Sequence, residues 1–340
     1  MLANLLIKPG ILKLKEIKIP KPSSGEILVK IKAALTCGTD LKAFKRGHPV
    51  MPMPTLFGHE FSGIVEQAGK GAGRFSKGTG IMAVHSAPCG KCFYCKKNLT
   101  NLCENIMRTK VLGAFAEYII LPEHVVKHNV FKKPKNLSFA EAAFLEPLSC
   151  VMHSIRSAGI SRGDTAVIIG AGAIGLLHLM VLNTMGIKTF VIEKLKTRLR
   201  KALDERADIA VHPGKQNVCK KIKTFTKGIG ADVVFECTGI PEVWEDSIWL
   251  VRKGGTIILF GGCKQGTKVT YDAGRIHYDE INLKGVFHYR PSDVSRAFKL
   301  LSSRKIKVKG LISGAYSLLN LKAAFDRMAS GDGIKYAIIP

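Results

Sequence analysis

The chain has 340 residues, enough for roughly two domains and a large core. Its hydrophobic share of 46% and charged share of 23% are those of a globular protein and exclude a disordered or fibrous one. The formal net charge of +26 raises nucleic acid or an acidic membrane surface as partners. Against that, Lys and Arg are spread from Lys8 to Lys335 with no basic arm or tail. The two short clusters, Lys194–Lys201 and Lys215–Lys227, fall on expected amphipathic surface helices. A solvated lysine-rich surface, able to attract an anionic substrate, is the reading taken over nucleic-acid binding.

The opening MLANLLIKPG has neither a basic start nor a small-residue cleavage site, so no secretory leader is expected. No stretch reads as a membrane span, and a cytoplasmic location without membrane contact is expected. Of nine cysteines, four lie between Cys89 and Cys103 and the rest are scattered, which favours metal binding over a disulfide framework.

Taken in chain order, residues 1 to about 145 read as β-rich. Ile27, Val29, Ile31 and Ala33 alternate onto one face of Glu26–Ala34. Further strands are expected at Phe61–Gln67, Ile81–His85 and Phe115–Leu121, punctuated by Gly and Pro. This is the pattern of an irregular barrel or sandwich. From about Pro147 strand and helix alternate: strand Thr165–Ile169, a helix to Met185, strand Lys188–Ile192, helix Thr197–Arg206, strand Ile209–Val211 and helix Val218–Lys227. Strand Asp232–Glu236, helix Val243–Val251, and strands Thr256–Phe260 and Ile281–Val286 follow. That spacing predicts a doubly wound parallel sheet, an α/β fold. Amphipathic helices are expected at Ser292–Ser302 and around Leu321–Met328, and a last strand at Lys335–Ile339. The parse is a cofactor domain inserted in a catalytic domain: 1–147, 148–286, then 287–340 returning to the first.

Three groups of residues carry chemistry. Cys89, Cys92, Cys95 and Cys103 put four thiols in 15 residues with Gly90 at a bend, the spacing of a closed tetrahedral zinc site; an iron–sulfur cluster is the alternative. With four protein sulfurs such a site holds the loop 86–105 and activates no water.

The second group is Gly170-Ala171-Gly172-Ala173-Ile174-Gly175, set between a strand and a helix and followed by a second strand ending in Glu193. This is the context of a dinucleotide fingerprint, with the pyrophosphate on the helix N-terminus. The near-continuous apolar run Ala166–Leu182 admits a membrane helix as the competing reading, but it is shorter than the roughly 20 residues of a span. A carboxylate at Glu193 accepts both ribose hydroxyls and repels a 2′-phosphate, which favours NAD; Lys194 and Lys196 beside it weaken that discrimination.

The third group is dispersed: Cys37-Gly38-Thr39-Asp40, Gly58-His59-Glu60, and Glu146-Pro147. Thiolate, imidazole and carboxylate make a mixed ligand set suited to a catalytic zinc, but spacing alone does not join them. A buried Cys, a turn His and a surface Glu remain open as the plainer readings.

The chain resembles the zinc-dependent medium-chain alcohol dehydrogenases, in particular polyol (sorbitol) and threonine dehydrogenases, over nearly its whole length. The matching residues are Cys37-Gly38-Thr39-Asp40, Phe57-Gly58-His59-Glu60-Phe61-Ser62-Gly63, the four-cysteine loop, and Phe115-Ala116-Glu117-Tyr118. Leu145-Glu146-Pro147-Leu148, the glycine turn, Glu236-Cys237-Thr238-Gly239 and Lys284-Gly285-Val286-Phe287 complete them. The resemblance implies a Rossmann domain and a β-rich GroES-like catalytic domain. It implies two zinc ions per chain. Cys37, His59 and Glu146 would hold the catalytic one with Glu60 as a direct or exchanging partner, and the four cysteines the structural one. It implies Thr39 as proton relay. Gly170, Gly172, Ala173, Ile174, Gly175, Glu193, Arg198, Thr238 and Phe287 would meet NAD, with NADP the lesser alternative, and Arg198 could also pair with Glu193. The activity implied is oxidation of a secondary alcohol in a polyol, sugar alcohol or derivative, by a homodimer or homotetramer.

Departures matter to that reading. Lys42 stands where many relatives carry a relay His, so His48 or direct release to water is expected instead. His288-Tyr289-Arg290 replaces the Arg-Tyr of sorbitol-type enzymes in a loop near the substrate, and Gly78-Thr79-Gly80 replaces Gly-Asp-Arg. Lys42, Lys45, Arg46 and His48, taken as a loop after Cys37, leave open an anionic substrate such as a polyol phosphate or threonine. A zinc- and nucleotide-binding protein with little catalysis that binds nucleic acid is the reading from another class.

Overall fold

The computed structural model describes residues 1–49, 51–214 and 217–340. The chain forms two compact units, Met1–Ser149 with His288–Pro340, and Cys150–Phe287.

The first unit is built on a seven-stranded sheet. Its path runs Ile312–Ser317, Lys335–Ile339, Ile27–Leu35, Phe61–Ala68, Gly80–Ala83 and Val130–Lys132, with Tyr118–Leu121 also paired to Ile27–Leu35. All pairs are antiparallel except Ile312–Ser317 with Lys335–Ile339. Ile27, Val29, Ile31 and Ala33 are buried as expected, but Leu28 and Ala34 on the opposite face are buried too, so the strand alternates only at Lys30 and, in part, Lys32. The last strand, Lys335–Ile339, lies beside Ile27–Leu35, which draws a residue from the chain's far end to the strand that precedes Cys37. A smaller sheet of Leu2–Lys8, Ile11–Glu16 and Thr55–Leu56 was not anticipated from the sequence pattern. Of the expected Phe115–Leu121 strand only Tyr118–Leu121 is continuous, with Ala116 bridging Ala3. Phe44, Phe57, Phe115 and Phe325 pack together with ring centroids 5.7–5.9 Å apart and form the apolar floor behind the Phe57-Gly58-His59 turn.

The segment after Cys37 is not a loop. Gly38–Arg46 is a helix with Cys37 at its N-cap, so Lys42, Lys45 and Arg46 are helical and only His48 lies beyond its end. Its buried residues Asp40, Ala43 and Phe44 recur at helical spacing, a short stripe that the Gly-Thr start obscured.

The second unit is a six-stranded, all-parallel sheet. Its order is Ile209–Val211, Lys188–Ile192, Thr165–Ile169, Ala231–Glu236, Val251–Leu259, Asn282–Gly285. Winding reverses between Thr165–Ile169 and Ala231–Glu236, so a crevice opens at the carboxyl ends of those two strands. The strands are nearly continuous apolar runs because helices cover them; Val167, Phe190, Val234 and Ile257 are fully buried. The apolar run from Ala166 is strand Thr165–Ile169 followed by helix Ala173–Thr184, and no helix among the described residues is long and apolar enough to cross a membrane. The expected helix Val243–Val251 is corrected: a helix at Pro241–Asp246 and a 3₁₀ turn at Ser247–Trp249 precede a strand that already begins at Val251. Pro241 at the first turn sets that earlier start. The basic clusters fall on helices Lys196–Asp204 and Val218–Phe225; Lys215 lies outside the described residues.

Candidate active site and cofactor cradle

The four cysteines of the loop converge. The sulfurs of Cys89, Cys92, Cys95 and Cys103 lie within 4.8 Å of one another. Gly90 sits at φ +75°, the left-handed region a side chain disfavours, and makes the bend that turns Cys92 back towards Cys89. Backbone N–H groups aim at the sulfurs; that of Cys89 is 3.3 Å from the Cys103 sulfur. N–H groups led by that of Lys91 bring Cys89 down to about 6, while burial pushes Cys95 up to about 12. Four thiols so placed cannot all ionise unless a cation sits among them, and a soft tetrahedral ion fits the set. Phe93, Tyr94, Leu99 and Leu102 are exposed, so the loop has little core of its own.

Three members of the dispersed group also meet within the first unit. One ligand atom each of Cys37, His59 and Glu60 lies within 4.8 Å of the others. Cys37 is the N-cap residue of the helix Gly38–Arg46 and lies two residues past the strand Ile27–Leu35. Gly58 is held at φ +87°, with a Cβ there only 2.7 Å from the Phe115 ring, so the turn presenting His59 is pinned. Asp40, fully buried in the first turn of the same helix, places Oδ1 3.0 Å from His59 Nδ1. In a metal-loaded site such a carboxylate would hold the proton on Nδ1 and leave Nε2 to the metal. Burial opposes a charged His59, but Asp40 and Cys37 overcome it and raise its pKa well above the usual range.

Glu60 is fully buried and both its oxygens accept from Lys335 Nζ, at 2.7 and 2.5 Å. Lys335 also donates to the Thr36 carbonyl at 2.8 Å. Burial pushes the Glu60 carboxyl up to about 7, against the pull of Lys335.

Glu146, in the first turn of helix Leu145–Ala158, places Oε1 3.4 Å from His85 Nδ1. Burial opposes its ionisation, yet His85 and His59 hold its carboxyl at about 2. His85 is itself packed edge-on against His59 (centroids 5.1 Å) and His288 (5.3 Å). Tyr289 Oη lies 3.3 Å from His85 Nδ1 and 3.0 Å from Ser86 Oγ, which in turn meets His288 Nε2 at 2.5 Å. Thr39 is exposed in the first turn of its helix, two residues past Cys37. His48 is half-buried, and burial together with Lys110 lowers its pKa.

The structure therefore brings Cys37, His59 and Glu60 together and sets Glu146 on His85. Sequence reasoning did not single out Asp40 as a partner of His59, nor Lys335, His85 and Ser86. Asp40 was findable, three residues past Cys37 on one helix face. Lys335 and His85 gave no local signal.

In the second unit the glycine turn is shaped for a ligand. Gly170 adopts φ +96°, and a Cβ on Gly175 would lie 1.8 Å from the Gly170 carbonyl oxygen, so both are demanded by the fold. Gly172 differs: its φ is −73°, and a Cβ there would meet only Arg198 Nη1, at 3.8 Å. Nothing in the protein fills the space beside it, which suits a backbone that a phosphate approaches. Ala173 and Ile174 open the helix half-exposed, their N–H groups among those a helix start leaves unpaired. Glu193 is buried; Oε2 accepts from Ala171 N and Oε1 from Leu195 N, both at 2.8 Å. It thus braces the turn while each oxygen retains a lone pair for a ribose hydroxyl. Thr238 donates through N (2.7 Å) to the buried Glu236 carboxylate, and its methyl would lie 2.9 Å from a Cβ on Gly170. Phe287, at the end of this unit, is about half-exposed. The cradle fits a dinucleotide.

The alcohol dehydrogenase GroES-like domain matches residues 23–135 and the zinc-binding dehydrogenase family matches residues 173–303. A sorbitol dehydrogenase of Halalkalibacterium halodurans is 32% identical over 329 residues, 94% of each chain. A D-xylulose reductase A of Emericella nidulans is 31% identical over 338 residues, 96% of this chain and 92% of the relative. The crystal structure of a zinc-binding dehydrogenase of Sinorhizobium meliloti bound to NADP superposes with a TM-score of 0.90 at 30% identity, covering 100% of this chain and 99% of that one. On these matches and this geometry, the chain belongs to the zinc-dependent medium-chain alcohol dehydrogenases, oxidoreductases that use zinc and NAD(P).

Proposed function

We propose that this chain transfers hydride between a secondary hydroxyl of a polyol and NAD, with one zinc at Cys37, His59 and a carboxylate and a second at the four cysteines. The observation that carries it is the meeting of Cys37, His59 and Glu60 within 4.8 Å, backed by Asp40 on His59 and Lys335 on Glu60. Zinc, when bound, supplies Lewis acidity that lowers the pKa of a substrate hydroxyl. The chain's residues do the rest. Asp40 keeps His59 in the metal-binding tautomer. Lys335 tethers Glu60 and favours its ionised form against burial, and His85 meets Glu146 in the same unit. Thr39, exposed beside Cys37, can accept the substrate proton and pass it on.

Relatives named for sorbitol and D-xylulose support a polyol over threonine, a polyol phosphate or a nucleic-acid-binding role. Glu193 favours NAD over NADP by its charge next to the adenosine ribose. A cytoplasmic homodimer or homotetramer is the working assembly. A panel of polyols, polyol phosphates, threonine and simple secondary alcohols with NAD and NADP tests the proposal. NADH formation fastest with polyols supports it; no turnover with any alcohol, or turnover confined to threonine, overturns it.

A further inference from the structure

The loop 86–105 carries the four cysteines, and two of its other residues reach away from that cluster. Ser86 Oγ lies 2.5 Å from His288 Nε2 and 3.0 Å from Tyr289 Oη. Asn101, buried in the 3₁₀ turn Thr100–Leu102, accepts a hydrogen bond from Arg290 Nε at 3.0 Å. Three consecutive residues, His288, Tyr289 and Arg290, are thus gripped at two points of one loop. Cys89, Cys92 and Cys95 fall between those two points, and Cys103 lies two residues past the second.

The gripped segment needs holding. His288 sits at φ +63°, the left-handed region that a side chain disfavours and that persists only where the surroundings enforce it. Beyond it, Arg290 is the N-cap of helix Pro291–Ser302, and its N–H donates to the fully buried Asp293 at 3.0 Å. Phe298 of that helix stacks on Phe131 of the sheet at 4.6 Å. The helix therefore pins one end of the segment, and the rest leans on the loop. A guanidinium donor makes the Asn101 contact one of the stronger kinds of hydrogen bond. Between the two grips, the buried Tyr289 places Oη 3.3 Å from His85 Nδ1, and the His85 ring packs edge-on against His59 at 5.1 Å. A shift at 288–290 reaches His59 in two contacts.

We propose that Asn101 and Arg290 are positioning residues, whose hydrogen bond carries the order of the four-cysteine loop to Tyr289 and so to the reacting site beside His59. This rests on the catalytic reading of Cys37 and His59 given above. The loop then has a second task besides its own stability: it sets the posture of a wall of the active site. Loosening the loop slows turnover even where the metal ligands Cys37 and His59 are untouched.

Steady-state kinetics on sorbitol test this with the zinc-loaded full chain, for the wild type, Asn101→Leu, Asn101→Asp, Tyr289→Phe and the double variant Asn101→Leu with Tyr289→Phe. Zinc per chain is counted for each, and amide exchange over 288–294 is followed by mass spectrometry. Asn101→Leu should lower kcat about 10–100-fold while the zinc content stays that of the wild type, because a small misplacement beside a reacting group costs that much. Exchange over 288–294 should rise in the same variant. Asn101→Asp keeps an oxygen for the guanidinium and should stay within about threefold of the wild type. In the Tyr289→Phe background Asn101→Leu should cost less than about threefold more, because it acts through Tyr289. A kcat for Asn101→Leu within about threefold of the wild type overturns the proposal. So does an Asn101→Asp no better than Asn101→Leu, or an equal loss in both backgrounds, which marks a merely structural role. If Asn101→Leu loses zinc or fails to fold, Arg290→Met in the same two backgrounds decides by the same criteria. An active wild type with kcat unmoved in these variants overturns this inference and leaves zinc-dependent alcohol oxidation standing. A wild type inactive on every alcohol overturns both.

Discussion

Lys335→Met removes the only cation touching the buried Glu60 carboxylate among the contacts described above. In the native chain Lys335 Nζ meets Glu60 at 2.7 and 2.5 Å and the Thr36 carbonyl at 2.8 Å, and the two side chains are 3% and 0% exposed. No solvent screens the pair, so the small values typical of surface ion pairs do not apply. Breaking a buried pair by deleting one partner costs about 3–5 kcal/mol, mostly because the remaining charge is stranded. At about 2–4 °C per kcal/mol for domains of this size, the midpoint falls by about 6–20 °C. The double variant Lys335→Met with Glu60→Gln strands no charge and should recover at least half of the loss. Thermal or urea unfolding of the zinc-loaded full chain, run as a double-mutant cycle, measures this. A single variant within about 1 kcal/mol of wild type, or strictly additive effects, would refute the reasoning that Lys335 and Glu60 stabilise the fold as a coupled buried pair.

Three further outcomes follow from the geometry. His178 is fully buried, with its ring between the Ile174 carbonyl and Ser154 Oγ, and burial lowers its pKa from 6.5 to about 4. The unfolded chain takes up that proton first, so about 3 kcal/mol of stability present above pH 6.5 is lost as pH falls towards 4; His178→Gln should flatten this part of the pH–stability curve, and a parallel curve would contradict it. Gly172→Ala should leave stability within about 0.5 kcal/mol but raise the KM for coenzyme at least tenfold, whereas Gly175→Ala, whose Cβ meets the Gly170 oxygen at 1.8 Å, should fail to fold stably; coenzyme binding by Gly172→Ala equal to wild type would argue against the phosphate cradle. Chelation of the four-cysteine site, or Cys92→Ser, should expose the loop to trypsin at Lys91, Lys96 and Lys97, because Phe93, Tyr94, Leu99 and Leu102 contribute little core; unchanged resistance after zinc loss would show that packing, not metal, holds the loop.

What the sequence made legible divides by the range of the interactions involved. The strand, glycine turn and helix at Thr165–Thr184 were readable because Gly170 and Gly175 answer local constraints, and the parallel sheet because strand and helix alternate at short spacing. The four cysteines were readable because all lie within one loop. Cys37, His59 and Glu146 were reached through family resemblance, since their spacing carries no shared period. The helix Gly38–Arg46 was taken as a loop because Gly38, Thr39 and three basic residues mask a buried stripe of three side chains. Lys335 was missed for a different reason: it comes to Glu60 only through the pairing of the last strand with Ile27–Leu35. His85 was read as a strand end, and its partners Glu146, His288 and Tyr289 come from two distant places in the chain.

The central claim is that two zinc sites are built into this chain and that the one at Cys37, His59 and a carboxylate is catalytic. The direct measurement is zinc per chain together with NADH formation on a polyol, for the wild type and for Cys37→Ser. The account predicts two zinc ions and turnover in the wild type, and one zinc with turnover lost in Cys37→Ser while the four-cysteine site stays loaded. A wild type that holds a single zinc, or a Cys37→Ser variant that still oxidises the polyol, would contradict it.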